Sequence, residues 1–61
     1  MNNNNENVKK FDVDIYKFYD EEGKWIGEDY NFNKGLTFFN NAKWCKYFKN
    51  GIFEREFFVN I

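Results

Sequence analysis

Two glycines, Gly23 and Gly51, stand 28 residues apart at the same point of a pattern that the chain carries twice. Shifting the sequence by 28 superposes Tyr16 on Trp44, Tyr19 on Tyr47, Trp25 on Phe53, Glu28 on Glu56 and Tyr30 on Phe58. Each copy reads aromatic-x-x-Tyr, a turn glycine, then x-aromatic-x-x-Glu-x-aromatic. In the first copy, Asp20-Glu21-Glu22-Gly23 places glycine where a three-residue hairpin loop needs a left-handed residue to close a type I turn and bulge. Before the turn, Phe11, Val13 and Ile15 alternate with Asp12 and Asp14, the period-two signature of a half-buried strand. Tyr16, Phe18 and Tyr19 then put bulk on both faces, so this strand is either buried on two sides or carries a bulge. After the turn, Lys24 falls opposite Asp20 and Trp25 opposite Tyr19, a charge pair and an aromatic pair worth roughly 0.2–1 kcal/mol each. The return strand is expected from Lys24 to about Phe32, with Ile26, Glu28, Tyr30 and Phe32 on one face. Asn33-Lys34-Gly35 is a second turn signal, and Leu36 to Phe39 a short third strand.

The segment from Ala42 to Lys49 admits two readings. As a helix it puts Trp44, Cys45 and Phe48 on one face, with Asn40 or Asn41 as N-cap and Gly51 just past the end. As a strand it leads into Asn50-Gly51, the central pair of a type I′ hairpin turn. That register opposes Phe48 to Phe53, Trp44 to Phe57 and Ala42 to Val59, and sets Lys46 against Arg55, a like-charge pair that costs stability. The repeat favours the hairpin. The expected fold is therefore all-β, a small antiparallel sheet of four or five strands built from two aromatic-rich hairpins. The alternative is an α+β domain with one helix at about 41–49. In the hairpin reading Phe48, Phe53, Trp44 and Phe57 form the core, and the surplus of apolar bulk lies on the first hairpin.

Residues 1–7 contain nothing apolar after Met1 and read as a polar tail, leaving residues 8–61 for one domain. Fifteen of the 61 residues are aromatic, and each buried ring removes roughly 150–250 Å² from water. A domain of about this size hides only about 60% of its unfolded surface, so some rings are expected to stay exposed and meet a partner or a second copy. Cys45 is the single cysteine and histidine is absent, which excludes an internal disulfide and a Cys/His zinc site. A homo-oligomer, dimer or larger, is the remaining common staple. With neither an apolar leader nor a stretch of about 20 apolar residues, the expectation is a cytoplasmic protein without a membrane span. The net charge of −1 divides into −4 over residues 1–31 and +3 over residues 32–61, which suits attraction between the two halves.

The segments Tyr16-Lys17-Phe18-Tyr19-Asp20-Glu21-Glu22-Gly23-Lys24-Trp25-Ile26-Gly27-Glu28 and Trp44-Cys45-Lys46-Tyr47-Phe48-Lys49-Asn50-Gly51-Ile52-Phe53 resemble MORN-variant repeats of antitoxin-like proteins. Those units run aromatic-x-x-Tyr-Tyr-x-Asn-Gly-x-hydrophobic and form consecutive β-hairpins. The resemblance covers about half of the chain and implies antiparallel hairpins and protein-binding roles. It carries over no catalytic residue.

Catalytic chemistry finds little material. Cys45 and Thr37 are the candidate nucleophiles, and neither has a histidine to act as base. The paired acids Asp12 and Asp14, and Glu54 and Glu56, read as solvated strand faces. Asp20-Glu21-Glu22 lacks the spacing of a calcium loop, so no catalytic residue, metal or cofactor is expected. The acidic first hairpin surrounds Trp25 and Tyr30 with Glu28 and Asp29, a combination that can anchor a protein surface. With Tyr16 and Phe18, these four residues form the expected partner site. The expected function is that of a non-enzymatic inhibitor or antitoxin-type module, as in bacterial or phage conflict systems, where a phage anti-defence protein occludes a host partner. One alternative is single-stranded nucleic-acid binding by Lys43, Trp44, Lys46, Tyr47 and Lys49, which interleave cations with rings. A structural self-assembling subunit is another.

Overall fold

The computed structural model describes residues 12–60. The expected tail, residues 1–7, and the lead-in from Val8 to Phe11 lie outside the described residues. The first hairpin pairs β1 (Asp14–Tyr19) with β2 (Trp25–Asp29), and the second pairs β3 (Trp44–Lys49) with β4 (Ile52–Phe58). The one helix among the described residues, α1 (Phe32–Phe38), lies between them in sequence. β1 also pairs antiparallel with β3, so the four strands form one sheet in the order β2-β1-β3-β4.

Both turns close as their sequences dictate. Asp20 accepts from the N–H groups of Glu22 and Lys24 through Oδ1, each at 2.9 Å, and Gly23 takes the left-handed position at φ +82°. Asn50 and Gly51 are both left-handed, at φ 52° and 82°, as a type I′ turn requires. The Asn50 side chain also accepts from the Val13 N–H at 2.8 Å, tying the second turn to the start of β1.

Each return strand carries one bulge: that in β2 keeps the expected Tyr19–Trp25 pair but parts Ile26, which packs on the core, from Glu28, expected on the same face, and that in β4 changes the expected register. In β2, Tyr19 pairs with Trp25 and Phe18 with Gly27, which leaves Ile26 unpaired. In β4, Phe48 pairs with Phe53 and Tyr47 with Arg55, which leaves Glu54 unpaired. The extra residue moves Trp44 from Phe57 to Phe58, and Lys46 from Arg55 to Glu56. An expected like-charge pair thereby becomes an opposite-charge pair.

The segment 44–49 is a strand, so a helix at 41–49 is not present; the helix lies earlier, where a turn and a third strand were expected. Phe32, Gly35, Leu36 and Phe39 recur at i, i+3, i+4 and i+7, the stripe of a helix that packs on one side. Asn31 caps it, its Oδ1 accepting from the Lys34 N–H at 2.9 Å, and Asp29 accepts in turn from the Asn31 N–H at 2.8 Å. These two side chains end β2 at Asp29, short of the expected Phe32.

The helix covers one face of the sheet, and the core forms there. Phe18, Ala42, Cys45 and Val59 are buried, with Tyr16, Ile26, Phe32, Leu36, Phe39 and Phe57 packed around them. Phe18 meets Phe32 and Phe39 at centroid distances of 6.1 and 5.4 Å, and Phe32 meets Phe57 at 5.7 Å. The expected core of Phe48, Phe53, Trp44 and Phe57 is thus corrected: of these four, only Phe57 packs on the core. The bulge at Glu54 sets Phe58, in place of Phe57, beside Trp44 on the opposite face.

Candidate functional site

Strand alternation decides what the uncovered face displays. Reading across β2, β1, β3 and β4, one row is Trp25, Tyr19, Trp44 and Phe58, and the next is Glu28, Lys17, Lys46 and Glu56. The third row sets Ile15 against Phe48 and Phe48 against Phe53, with Tyr30 just beyond β2 sharing a depression with Ile15 and Glu28. A line of four charges therefore crosses the sheet between two apolar rows. Trp44 meets Phe58 at 5.3 Å, and Phe48 meets Phe53 edge-on at 5.6 Å. Trp25, Phe53, Phe58 and Tyr30 remain 54, 50, 61 and 72% exposed.

The two central lysines lie over rings. The Lys17 ammonium stands 4.6 Å from the Phe48 centroid and that of Lys46 4.9 Å from Tyr19. Such cation–π contacts are worth roughly 0.5–1 kcal/mol at exposed sites. Among the described residues the ion pair within 4.0 Å is Lys49–Asp12, at 3.7 Å on the far side of the sheet. Lys17 and Lys46 thus face each other across β1 and β3, each laid on an aromatic ring with no carboxylate in salt-bridge contact. Tyr19, Gly23, Trp44, Lys46 and Glu56 line a shallow depression beside this pair.

The internal repeat acquires a geometry here. A two-fold axis normal to the sheet, between Lys17 and Lys46, carries β1 onto β3 and β2 onto β4. The first loop is three residues long and the second two, so the outgoing strands are equivalent at a shift of 29 and the return strands at 28. Lys17 then corresponds to Lys46, Tyr19 to Phe48, Trp25 to Phe53 and Glu28 to Glu56. Even the bulged residues, Ile26 and Glu54, are equivalent. A uniform shift of 28 matches the return strands but leaves the outgoing ones one residue out of phase, with Tyr16 and Trp44 on opposite faces.

Of the expected partner residues, Trp25, Glu28 and Tyr30 belong to the open face or its corner. Asp29 opposes Tyr16 and contributes its side chain to the helix entry. Phe18 is fully buried and Tyr16 packs on the core, 5.4 Å from Phe32 and 5.0 Å from Tyr47. These two are corrected to structural residues, because the helix occupies their face. The expected nucleic-acid segment is divided by the sheet. Trp44 and Lys46 reach the open face, whereas Lys43, Tyr47 and Lys49 share the other face with fully buried Cys45. Lys43 donates to the Asn60 carbonyl at 3.1 Å.

Tyr47 donates to Asp14 Oδ1 at 2.6 Å, and this bond, reinforced by burial and the Asp14 charge, pushes the phenol up to about 12. Arg55 lies over the same ring at 5.1 Å. Burial raises the Cys45 thiol to about 11, so it behaves as a small core hydrophobe. Asp12 and Asp14, flagged as a carboxylate pair, are thereby engaged by Lys49 and Tyr47. Sequence reasoning missed Lys17, Tyr19, Phe48, Phe53 and Phe58 as members of one surface. The signal that joins them is register across four strands, which no single segment contains. Comparisons with family models, curated proteins and solved structures give no match to this chain.

Proposed function

We propose that the chain is a non-enzymatic protein-binding module of the inhibitor or antitoxin type, which occludes a partner by docking through the open face of its sheet. The observation that carries this reading is four rings along the two edges of that face, Trp25, Tyr30, Phe53 and Phe58, half exposed or more although a core exists on the other side. Fully burying a large apolar side chain stabilises by roughly 1.5–3 kcal/mol, and a face that forgoes this at four rings is suited to gain it on binding. Trp and Tyr are the residues that dominate interface energies, and both hairpins supply rings to the face. No helix among the described residues is long and apolar enough to cross a membrane.

One observation favours a second reading. Two lysines between two aromatic rows are the elements of a surface that holds phosphates and stacks bases. Against it, Glu28 and Glu56 end the same row, making it neutral, and the chain as a whole carries −1, unlike basic nucleic-acid modules. The test captures proteins from host lysate with the wild type and with a Trp25→Asp/Phe58→Asp variant whose circular dichroism matches it. The expected result is a specific protein held by the wild type and released by the variant. Capture indifferent to the open face overturns the docking reading. A fluorescent oligonucleotide bound at low salt, where phosphate contacts are strongest, assigns the face to nucleic acid instead.

A further inference from the structure

Resting on that docking reading, the geometry points to a specific chemistry for the occupant: a protein segment with a carboxylate at its centre and an apolar side chain on each side of it. The carboxylate seats between the ammonium groups of Lys17 and Lys46.

Three observations carry this. The lysines are directly opposed on neighbouring strands, where Cβ atoms are only about 4.5–5.5 Å apart and like charges destabilise the pair. Among the described residues neither ammonium has a carboxylate within 4.0 Å: each lies over a ring, and Glu28 and Glu56, opposite the lysines at the two ends of the row, offset the repulsion only at longer range. An incoming carboxylate cancels it. The spacing follows from the strand: successive residues on one face are about 6.6 Å apart along it, so the lysine pair has an apolar row at that distance on either side. An extended segment lying along β1 and β3 meets these rows with residues i, i+2 and i+4. A helix meets them with i, i+4 and i+8, at about 6 Å per step. Because the strand register is two-fold symmetric about the lysine pair, though the rings it superposes differ, a segment meets an apolar row on each side of the pair in either chain direction.

The same symmetry disfavours a second copy of the chain as the occupant. Any two-fold axis lying in the interface and passing through the centre of the face sets Lys17 and Lys46 of one copy against Lys17 and Lys46 of the other. Four ammonium groups would then meet where two sheets pack about 10 Å apart. Sliding one copy to avoid them uncovers part of a face whose projected area, four strands by three rows, is only about 400 Å² from these spacings.

The test pans a displayed random-peptide library against the full chain, against Lys17→Glu/Lys46→Glu, and against the Trp25→Asp/Phe58→Asp variant. The wild type is expected to enrich segments with Asp or Glu flanked on both sides by apolar residues two or four positions away. Lys17→Glu/Lys46→Glu should lose these at least tenfold and enrich Lys- or Arg-centred segments, with Lys17→Gln/Lys46→Gln weakening them and gaining neither charge preference. Binders that depend on Trp25 and Phe58 but show no central acid overturn this inference and leave the docking reading standing. Finding no binder that depends on those rings overturns the docking reading itself. Wild-type dimers in sedimentation equilibrium that the Trp25→Asp/Phe58→Asp variant dissociates, or oligonucleotide binding abolished by Lys17→Gln/Lys46→Gln, would replace the proposed occupant.

Discussion

At Gly35 two residue-level effects oppose each other. Glycine inside a helix is about 1 kcal/mol less favourable than alanine, so Gly35→Ala should help α1 taken alone. A Cβ built there, however, runs into the Phe18 ring at Cε2, with Cζ at 2.7 Å and the Asp29 Cβ at 3.1 Å, and overpacking a filled core costs about 1–3 kcal/mol. Phe18 is completely buried beneath the helix and has no room to retreat. We therefore expect Gly35→Ala to destabilise by about 1–2 kcal/mol, read as a lower urea midpoint at unchanged slope; an equal or higher midpoint would show that the ring can move. Tyr47 offers a residue-level test in pH. Its phenol is raised above its ordinary value of 10.0 to about 12, so the neutral form is favoured by the fold. The resulting stabilisation is fully present below pH 10 and is lost as pH rises through 12. Absorbance titration of the four tyrosines should show a step near pH 12 that Tyr47→Phe removes. Persistence of that step would assign it to another ring and remove the Asp14 bond as its cause.

At the scale of elements, the hairpins were legible and the helix was not, for physical reasons. Asp20 with Gly23, and Asn50 with Gly51, fix turn geometry by local chemistry that needs no partner, so both loops and the Tyr19–Trp25 and Phe48–Phe53 pairs could be read directly. The helix spans only seven residues, and Asn33-Lys34-Gly35 within it carries the composition of a turn. Its signal was the stripe of Phe32, Gly35, Leu36 and Phe39, with glycine standing at an apolar position because Phe18 fills the space a side chain would take. Missing that stripe reversed the assignment of faces. With α1 on the side of Tyr16 and Phe18, both hairpins face it, Phe18 from the first and Cys45 and Phe57 from the second, and Trp44, Phe48 and Phe53 of the candidate core fall on the open face. Bulges at Ile26 and Glu54 were equally hidden, since an unpaired residue leaves no local mark once alternation is already blurred by adjacent aromatics. Such a short helix depends on its cap and packing more than on propensity. Asn31→Ala removes the side-chain acceptor of the Lys34 N–H and should cost about 1 kcal/mol. Amide exchange at Lys34 and Gly35 should quicken more than that in β3, whereas uniform quickening would mean that the helix does not open separately.

For the molecule as a whole, the two halves are held together by β1 beside β3. Acids of the first half reach partners of the second there: Asp12 to Lys49 and Asp14 to Tyr47. The charge asymmetry is thus met partly within one chain. Apart from Phe38 on the helix, the rings left half exposed or more lie on the open side of the sheet, so the aromatics among the described residues divide by face rather than by hairpin. That division can be measured. A chain of this length has a total stability of only about 3–9 kcal/mol, and removing a buried phenylalanine costs about 3–5 kcal/mol. Phe18→Ala should therefore leave the protein largely unfolded. Trp25→Thr/Phe58→Thr removes two larger groups of atoms but forfeits chiefly two cross-strand contacts, roughly 0.2–1 kcal/mol each, while threonine suits a strand. Urea titrations with matched slopes should place the double variant within about 2 kcal/mol of wild type, even though it discards two rings of the proposed docking surface. If the double variant unfolds as Phe18→Ala does, the open face is part of the stabilising core, and its exposed rings lose their standing as a binding surface.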